Sequence, residues 1–257
     1  MKLIPAVQNY NETAEKFNIT YRTRIVLENT SASATLFAQM LQAVVEEELG
    51  LTLDIKRGVA RAGDIRLVID ETIEDNHYTL VVNNESLTVS AASETLLLNG
   101  VQTAIQLVQR DGFNQIGVEI EDWADLRDRG YYFDVSRGRV PTLETLKKQV
   151  DLLVRYKLNQ FQLYIEHTFL FEELSEAWRD ETPLTAEDIL ELDKYCLDRH
   201  VELVPSLSTS PDDIVAPNAT VAPAVAPIAV PASLTAPFPN ASAPLPTVFH
   251  SSFLLSL

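Results

Sequence analysis

Residues 141–165 read PTLETLKKQVDLLVRYKLNQFQLYI, and the kind of fold turns on this stretch. Pro141 and Thr142 open it: a residue whose φ is already helical, then a hydroxyl able to accept from the first free amides of a helix. Leu143, Leu146, Val150 and Leu153 recur at helical spacing, which predicts a helix over 142–156 with one apolar stripe. Past Lys157-Leu158-Asn159 the residues 160–165 are short and almost continuously apolar, which predicts a strand buried on both faces.

The alternation continues in both directions. Before it, Tyr131–Val135 (YYFDV) predicts a strand. After it, Thr185 and Asp188 have the spacing of a capping box for a helix over 186–199, with Ile189, Leu192 and Cys196 as its buried stripe. Val201–Leu207 then predicts a third strand. A β-α-β-α-β run of apolar strands means parallel strands with helical crossovers, and its common hosts are the doubly wound sheet and the (β/α)8 barrel. In either host the reactive side chains gather where strands end. This singles out Asp134, Ser136 and Arg137 after the first strand, Glu166 and His167 after the second, and Thr209 onward after the third. Asp134 also has a structural reading, as the partner of Arg129 or Arg137.

Upstream the pattern differs. Short β-branched or aromatic runs at 21–27, 51–55, 65–69, 77–82 and 86–91 predict strands, with Asn83-Asn84-Glu85 as a hairpin turn. Helices are expected over 33–48 and 94–109, the second with Leu97, Val101 and Ile105 on one face. Strands with two helices on a single face make an α+β layer. Downstream, from Ser210 to Leu257, Lys, Arg, Glu and Gly disappear while Ala, Pro and Val repeat. Proline at that density predicts an extended or disordered tail, readable also as a linker or Pro-rich ligand.

Composition narrows the function. A formal charge of -17 over 257 residues opposes phosphate binding, so no nucleic-acid partner is expected. One cysteine, Cys196, excludes an intrachain disulfide, a thiolate zinc site and a CxxC pair; it is expected as a buried small hydrophobe, and no metal or cofactor is expected. The beginning, MKLIPAVQNYNETAEKF, lacks the layout of a secretory signal, and no apolar run reaches the roughly 18 residues of a membrane span. A cytoplasmic chain without a membrane partner is the expectation, which leaves the Asn18-Ile19-Thr20 triplet without weight.

The stretch DWADLRDRGYYFDVSR, residues 122–137, resembles the opening of the catalytic barrel in family 20 glycoside hydrolases, the β-N-acetylhexosaminidases. Lys157-Leu158-Asn159 and Leu163–Phe169 (LYIEHTF) are similar to its continuation, and Leu98-Asn99-Gly100-Val101-Gln102-Thr103 to the α/β domain that precedes it. The resemblance covers about residues 1–209 and selects the barrel. It implies an accessory α+β domain over 1–121, the first three strands of a (β/α)8 TIM barrel over 122–209, and a tail over 210–257 that a frameshift would explain. It further implies a glycan partner carrying terminal N-acetylhexosamine. Hydrolysis would be substrate-assisted, with an Asp orienting the acetamide and the neighbouring Glu protonating the leaving oxygen. Arg129 would match the first-strand Arg that contacts sugar hydroxyls, and Asp134, Glu166 and His167 complete the expected substrate-binding set.

The departures from the family pattern are equally specific. The family's Asp-Glu pair follows the fourth strand, and beyond Glu202 this chain has no Glu and no Asp-Glu dipeptide. Where Gly-His is expected after the third strand stands Ser210-Pro211-Asp212-Asp213. No catalytic residue is therefore assigned, and a truncated, inactive chain is expected, with an open barrel edge. The alternatives are a non-catalytic carbohydrate-binding or interaction protein built on the α+β domain, and another glycosidase sharing it.

Overall fold

The computed structural model describes residues 2–171, 178–179 and 182–207. The expected tail over 210–257, and the residues expected to follow the third strand, lie outside the described residues. Two compact units form. The first comprises the described residues of Met1–Tyr131, Thr142–Phe161 and Leu190–Leu203; the second comprises those of Tyr132–Pro141, Gln162–Ile189 and from Val204 onward.

The first unit is built on a seven-stranded mixed sheet. Its elements in chain order are β1 (Asn9–Asn18), β2 (Arg24–Glu28), α1 (Thr35–Leu49), β3 (Asp54–Arg57), β4 (Ile65–Ile69), β5 (His77–Val82), β6 (Leu87–Ala91), α2 (Glu94–Asp111) and β7 (Asn114–Trp123). The spatial order is β1-β7-β5-β6-β4-β2-β3. β4 and β5 have the expected bounds, and the turn between β5 and β6 closes on Asn83, whose Oδ1 accepts from the amides of Glu85 and Ser86 at 2.9 Å each. β1 and β7 were not expected. With them the α+β layer extends to Trp123, two residues past the expected boundary, so Asp122 and Trp123 belong to the sheet.

Alternation along β4, β5 and β6 buries one side of the sheet, while β2 buries Ile25, Val26 and Leu27 in succession. Leu80, Val89, Leu67 and Leu27 are fully buried, while their neighbours Thr79, Thr88, Arg66 and Glu28 are partly exposed. Over the buried side α2 lies so close that a methyl group at Gly100 would stand 2.4 Å from Val89 Cγ1 and 2.9 Å from Tyr78 Cδ2. Ser93 caps α2 by accepting from Leu96 N.

The remaining elements are β8 (Gly130–Asp134), α3 (Leu143–Arg155), β9 (Gln160–Ile165), α4 (Ala186–Leu197) and β10 (Glu202–Leu207), with the strands in the order β10-β9-β8. β8 and β9 are parallel: Asn159 N donates to Arg129 O at their beginnings (2.9 Å) and Val135 N to Tyr164 O at their ends (3.1 Å). Thr142 caps α3, and the Thr185–Asp188 box is formed reciprocally, Asp188 N to Thr185 Oγ1 at 3.1 Å and Thr185 N to Asp188 Oδ2 at 2.9 Å. Cys196 is fully buried, and burial pushes its thiol up to about 12. One expectation is corrected. β9 is buried on one face rather than two: Phe161, Leu163 and Ile165 are buried, whereas Gln160, Gln162 and Tyr164 alternate with them on a half-exposed face. That polar face leads to the strand ends.

Candidate functional site

At the carboxyl end of β8, Asp134 turns the chain. Its Oδ1 accepts from the amides of Ser136 (2.8 Å) and Arg137 (3.2 Å), a local turn that Asp forms readily because its oxygen reaches the backbone two residues on. Arg137 is thereby aimed back across the strand end. One arm of its guanidinium lies 3.3 Å from Asp134 Oδ2 and the other donates to Glu166 Oε1 at 2.8 Å. The guanidinium sits 5.3 Å from the centre of the Tyr164 ring, and the Tyr164 hydroxyl donates to the same Glu166 oxygen. Beneath them the buried Ser136 Oγ accepts from Glu166 N at 2.8 Å and lies 3.2 Å from Thr168 Oγ1. The result is a clamp: two carboxylates, one guanidinium and an aromatic ring, fixed from below by two hydroxyls.

Electrostatics follow from these contacts. The Tyr164 hydroxyl, then the Arg137 guanidinium and a smaller pull from His167, hold the Glu166 carboxyl below its ordinary range. The Ser136 amide, with Arg137 adding to it, does the same for Asp134. Arg137 is pushed up in turn by Tyr164, Asp134 and Glu166. A general acid working near neutrality needs a raised pKa, and both carboxyls move the other way. Ionised, they accept hydrogen bonds, and Arg137 supplies donors in a planar fork that matches adjacent hydroxyls.

Arg129, expected beside them, has another task. It precedes β8 while Asp134 ends it, so about 16 Å of strand separates their Cα atoms. Its Nε donates to Lys157 O at 2.8 Å, and its Nη1 to Leu126 O at 2.7 Å and Arg127 O at 3.1 Å. Asn159 completes the knot, accepting from Arg129 N at 2.7 Å and donating to Arg127 O at 2.8 Å. Alongside, Lys157 Nζ donates to Asp122 Oδ2 and to the Tyr78 hydroxyl, both at 2.8 Å, and the Tyr78 hydroxyl donates to the same Asp122 oxygen at 2.7 Å. Lys157 and Asp122 side chains are 8% and 7% exposed. Burial pulls the Lys157 pKa down against the attraction of Asp122, and it pushes Tyr78 well up. A cavity of about 240 Å³ opens over this network, walled also by Trp123 and Tyr156.

Residues 1–123 match the family model described as Glycosyl hydrolase family 20, domain 2. Over these residues the chain is similar to domain 2 of the family 20 glycosyl hydrolases. It is similar to a β-hexosaminidase of Vibrio furnissii, 26% identical over 188 residues, which is 70% of this chain and 28% of that protein. Among solved structures it is similar to the family 20 β-N-acetylhexosaminidase of Streptomyces coelicolor, at 25% identity and a TM-score of 0.68, over 79% of this chain and 45% of that one. The exo β-N-acetylglucosaminidase of Vibrio harveyi shares the fold at 20% identity and a TM-score of 0.66, over 79% of this chain and 35% of that one. The chain thus spans less than half the length of each of these relatives.

The polar residues singled out from the sequence fall into two groups. Asp122, Arg129, Lys157 and Asn159 are spent on one another and on the backbone. Asp134, Ser136, Arg137 and Glu166 meet at the strand ends. Tyr164 and Thr168 were not foreseen, although Tyr164 precedes Glu166 by two residues and so shares its face. The buried Lys157–Asp122 pair was also missed, because its partners are 35 positions apart.

Proposed function

We propose that this chain is part of a β-N-acetylhexosaminidase, in which residues 130–207 form the opening strands of a (β/α)8 barrel and the strand-end clamp binds the terminal sugar. The clamp carries the reading. Asp134 and Glu166 are held ionised around the Arg137 fork, with the Asp134 side chain 42% and the Glu166 side chain 13% exposed, an arrangement suited to a pair of neighbouring hydroxyls. Two of the similar enzymes, a β-N-acetylhexosaminidase and an exo β-N-acetylglucosaminidase in complex with N-acetylglucosamine, supply the sugar class. Asp134 and Glu166 would accept from hydroxyls, Arg137 would donate, and His167 would stand at the rim. Arg129 would support β8 from below without touching sugar.

The proton donor and the acetamide-orienting carboxylate implied by the family would come from residues other than those described. Binding without turnover is the expected behaviour of this chain by itself. Calorimetric titration of the purified chain with N-acetylglucosamine, paired with a chromogenic N-acetylglucosaminide assay, tests this. Binding should weaken about tenfold in Glu166→Gln, the loss of one charge-assisted hydrogen bond, and no turnover should be seen. Binding indifferent to Glu166 would overturn the assignment of the clamp, and turnover abolished by changing one of the chain's own residues would overturn the division of labour.

A further inference from the structure

Where α3 ends, Tyr156 caps the helix and Lys157 takes a left-handed backbone, φ 59°, a turn that glycine makes more cheaply. The turn carries the Lys157 ammonium to Tyr78 and Asp122. On α2, Leu96 and Asn99 stand three residues apart and so share a face. Trp123 ends β7 with its ring stacked on His77 at 4.5 Å. These side chains, with Leu126 and Arg129, wall the cavity of about 240 Å³, which lies wholly within the first unit.

Hydrogen-bond donors around this cavity outnumber the acceptors that use them. Carbonyls take Arg129 Nε and Nη1, and among the described residues Nη2, with two hydrogens, has no acceptor. Asn99 gives its carbonyl to Thr103 Oγ1 at 3.3 Å, while its side-chain amide has no partner among the described residues. Lys157 spends two of its three hydrogens, on Tyr78 and Asp122. Charge is uneven in the same direction. Asp122 is answered by Lys157, and Asp125, exposed, accepts from Gln8 Nε2 at 3.1 Å. Arg129 is half-buried and has no carboxylate within ion-pair reach among the described residues; burial pulls its pKa down, and only the more distant Asp128 opposes this.

Such a wall suits a ligand that accepts and does not donate. A bare inorganic anion would use the donors and leave Trp123, Tyr156, Leu96 and Leu126 without a partner, whereas a ring bearing a carboxylate uses both. The volume is smaller than the roughly 300–1,000 Å³ of sites for drug-sized ligands, which restricts the occupant to about a single ring. We infer that this cavity is a binding site for a small aromatic carboxylate, its ring against Trp123 and Tyr156 and its oxygens on Arg129 and Asn99. The chain's charge of -17 disfavours anions at long range, but at contact the Arg129 guanidinium is the nearer charge. The site is separate from the strand-end clamp and does not rest on the function proposed for it.

Calorimetric titration of the full chain with benzoate tests this, read beside the fluorescence of Trp123 in a Trp178→Phe background, where it is the one tryptophan left. Benzoate should bind with a dissociation constant on the order of 1 mM or tighter and change the Trp123 emission. Benzamide, of the same shape without the charge, should bind about tenfold more weakly. Asn99→Ala should lose about fivefold, one hydrogen bond to a charged group, and Arg129→Gln should abolish binding. Circular dichroism follows folding; if Arg129→Gln does not fold, Asn99→Ala and benzamide still decide. Glu166→Gln should bind benzoate like the parent, so failure of the clamp and failure of this cavity are read from different variants. The assignment is overturned if benzoate gives neither heat nor a fluorescence change at millimolar concentration, if benzamide or inorganic phosphate binds as well as benzoate, if Asn99→Ala keeps the parent affinity, or if Glu166→Gln loses it.

Discussion

Lys157→Ala is expected to lower the melting temperature by roughly 10 °C or more. The substitution leaves Asp122 charged in a site where its side chain is 7% exposed, and removing one member of a buried pair costs about 3–5 kcal/mol. For a chain of this size each kcal/mol moves the transition by about 2–4 °C. The Tyr78 hydroxyl, 2.7 Å from Asp122, softens the loss without supplying a charge. Because burying two charges is itself expensive, the paired change Lys157→Met with Asp122→Leu should recover much of the stability. Differential scanning calorimetry of the two single variants and the double variant gives the coupling directly; additive losses would mean that the pair is not the joint described here.

Gly100→Leu should be worse still, and should prevent the first unit from folding. Leucine is the better helix former, by close to 1 kcal/mol over glycine, so propensity alone predicts a gain. Packing reverses the sign. Even the first carbon of a side chain would stand 2.4 Å from Val89 Cγ1 and 2.9 Å from the Tyr78 ring, both on fully buried residues. α2 must then lift off β5 and β6, and Gly100→Ala should already cost about 1–3 kcal/mol. Chemical denaturation followed by circular dichroism checks the order, with parent above alanine above leucine; an alanine variant more stable than the parent would show that the helix does not lie this close.

Much of the fold was legible because local chemistry and tertiary need agree. The caps at Thr142 and Thr185–Asp188 and the apolar stripe of α3 mark the elements between β8 and β10 before any contact is known. β1 was not legible, since NYNETAEKFN has almost no buried side chain and holds its place by main-chain pairing with β7. β7 itself alternates at Val118-Glu119-Ile120-Glu121, a signal at hand, but the same stretch runs into Asp122 and Trp123, which resemblance assigned to the next region. Arg129 shows a different limit. Its residue type and position suit sugar recognition, and only the carbonyls of Leu126, Arg127 and Lys157 around its guanidinium reveal the structural role. Arg137, singled out as a strand-end residue without a role, becomes the centre of the clamp because Asp134 bends the chain toward Glu166.

The division between these two arginines is the claim from which the rest follows, and the side-chain Nε–H resonances of the labelled chain test it most directly. On titration with N-acetylglucosamine the Arg137 signal should shift progressively, while the Arg129 signal, protected by its bond to the Lys157 carbonyl, should stay where it is. A shift of Arg129 with Arg137 unmoved would contradict the account.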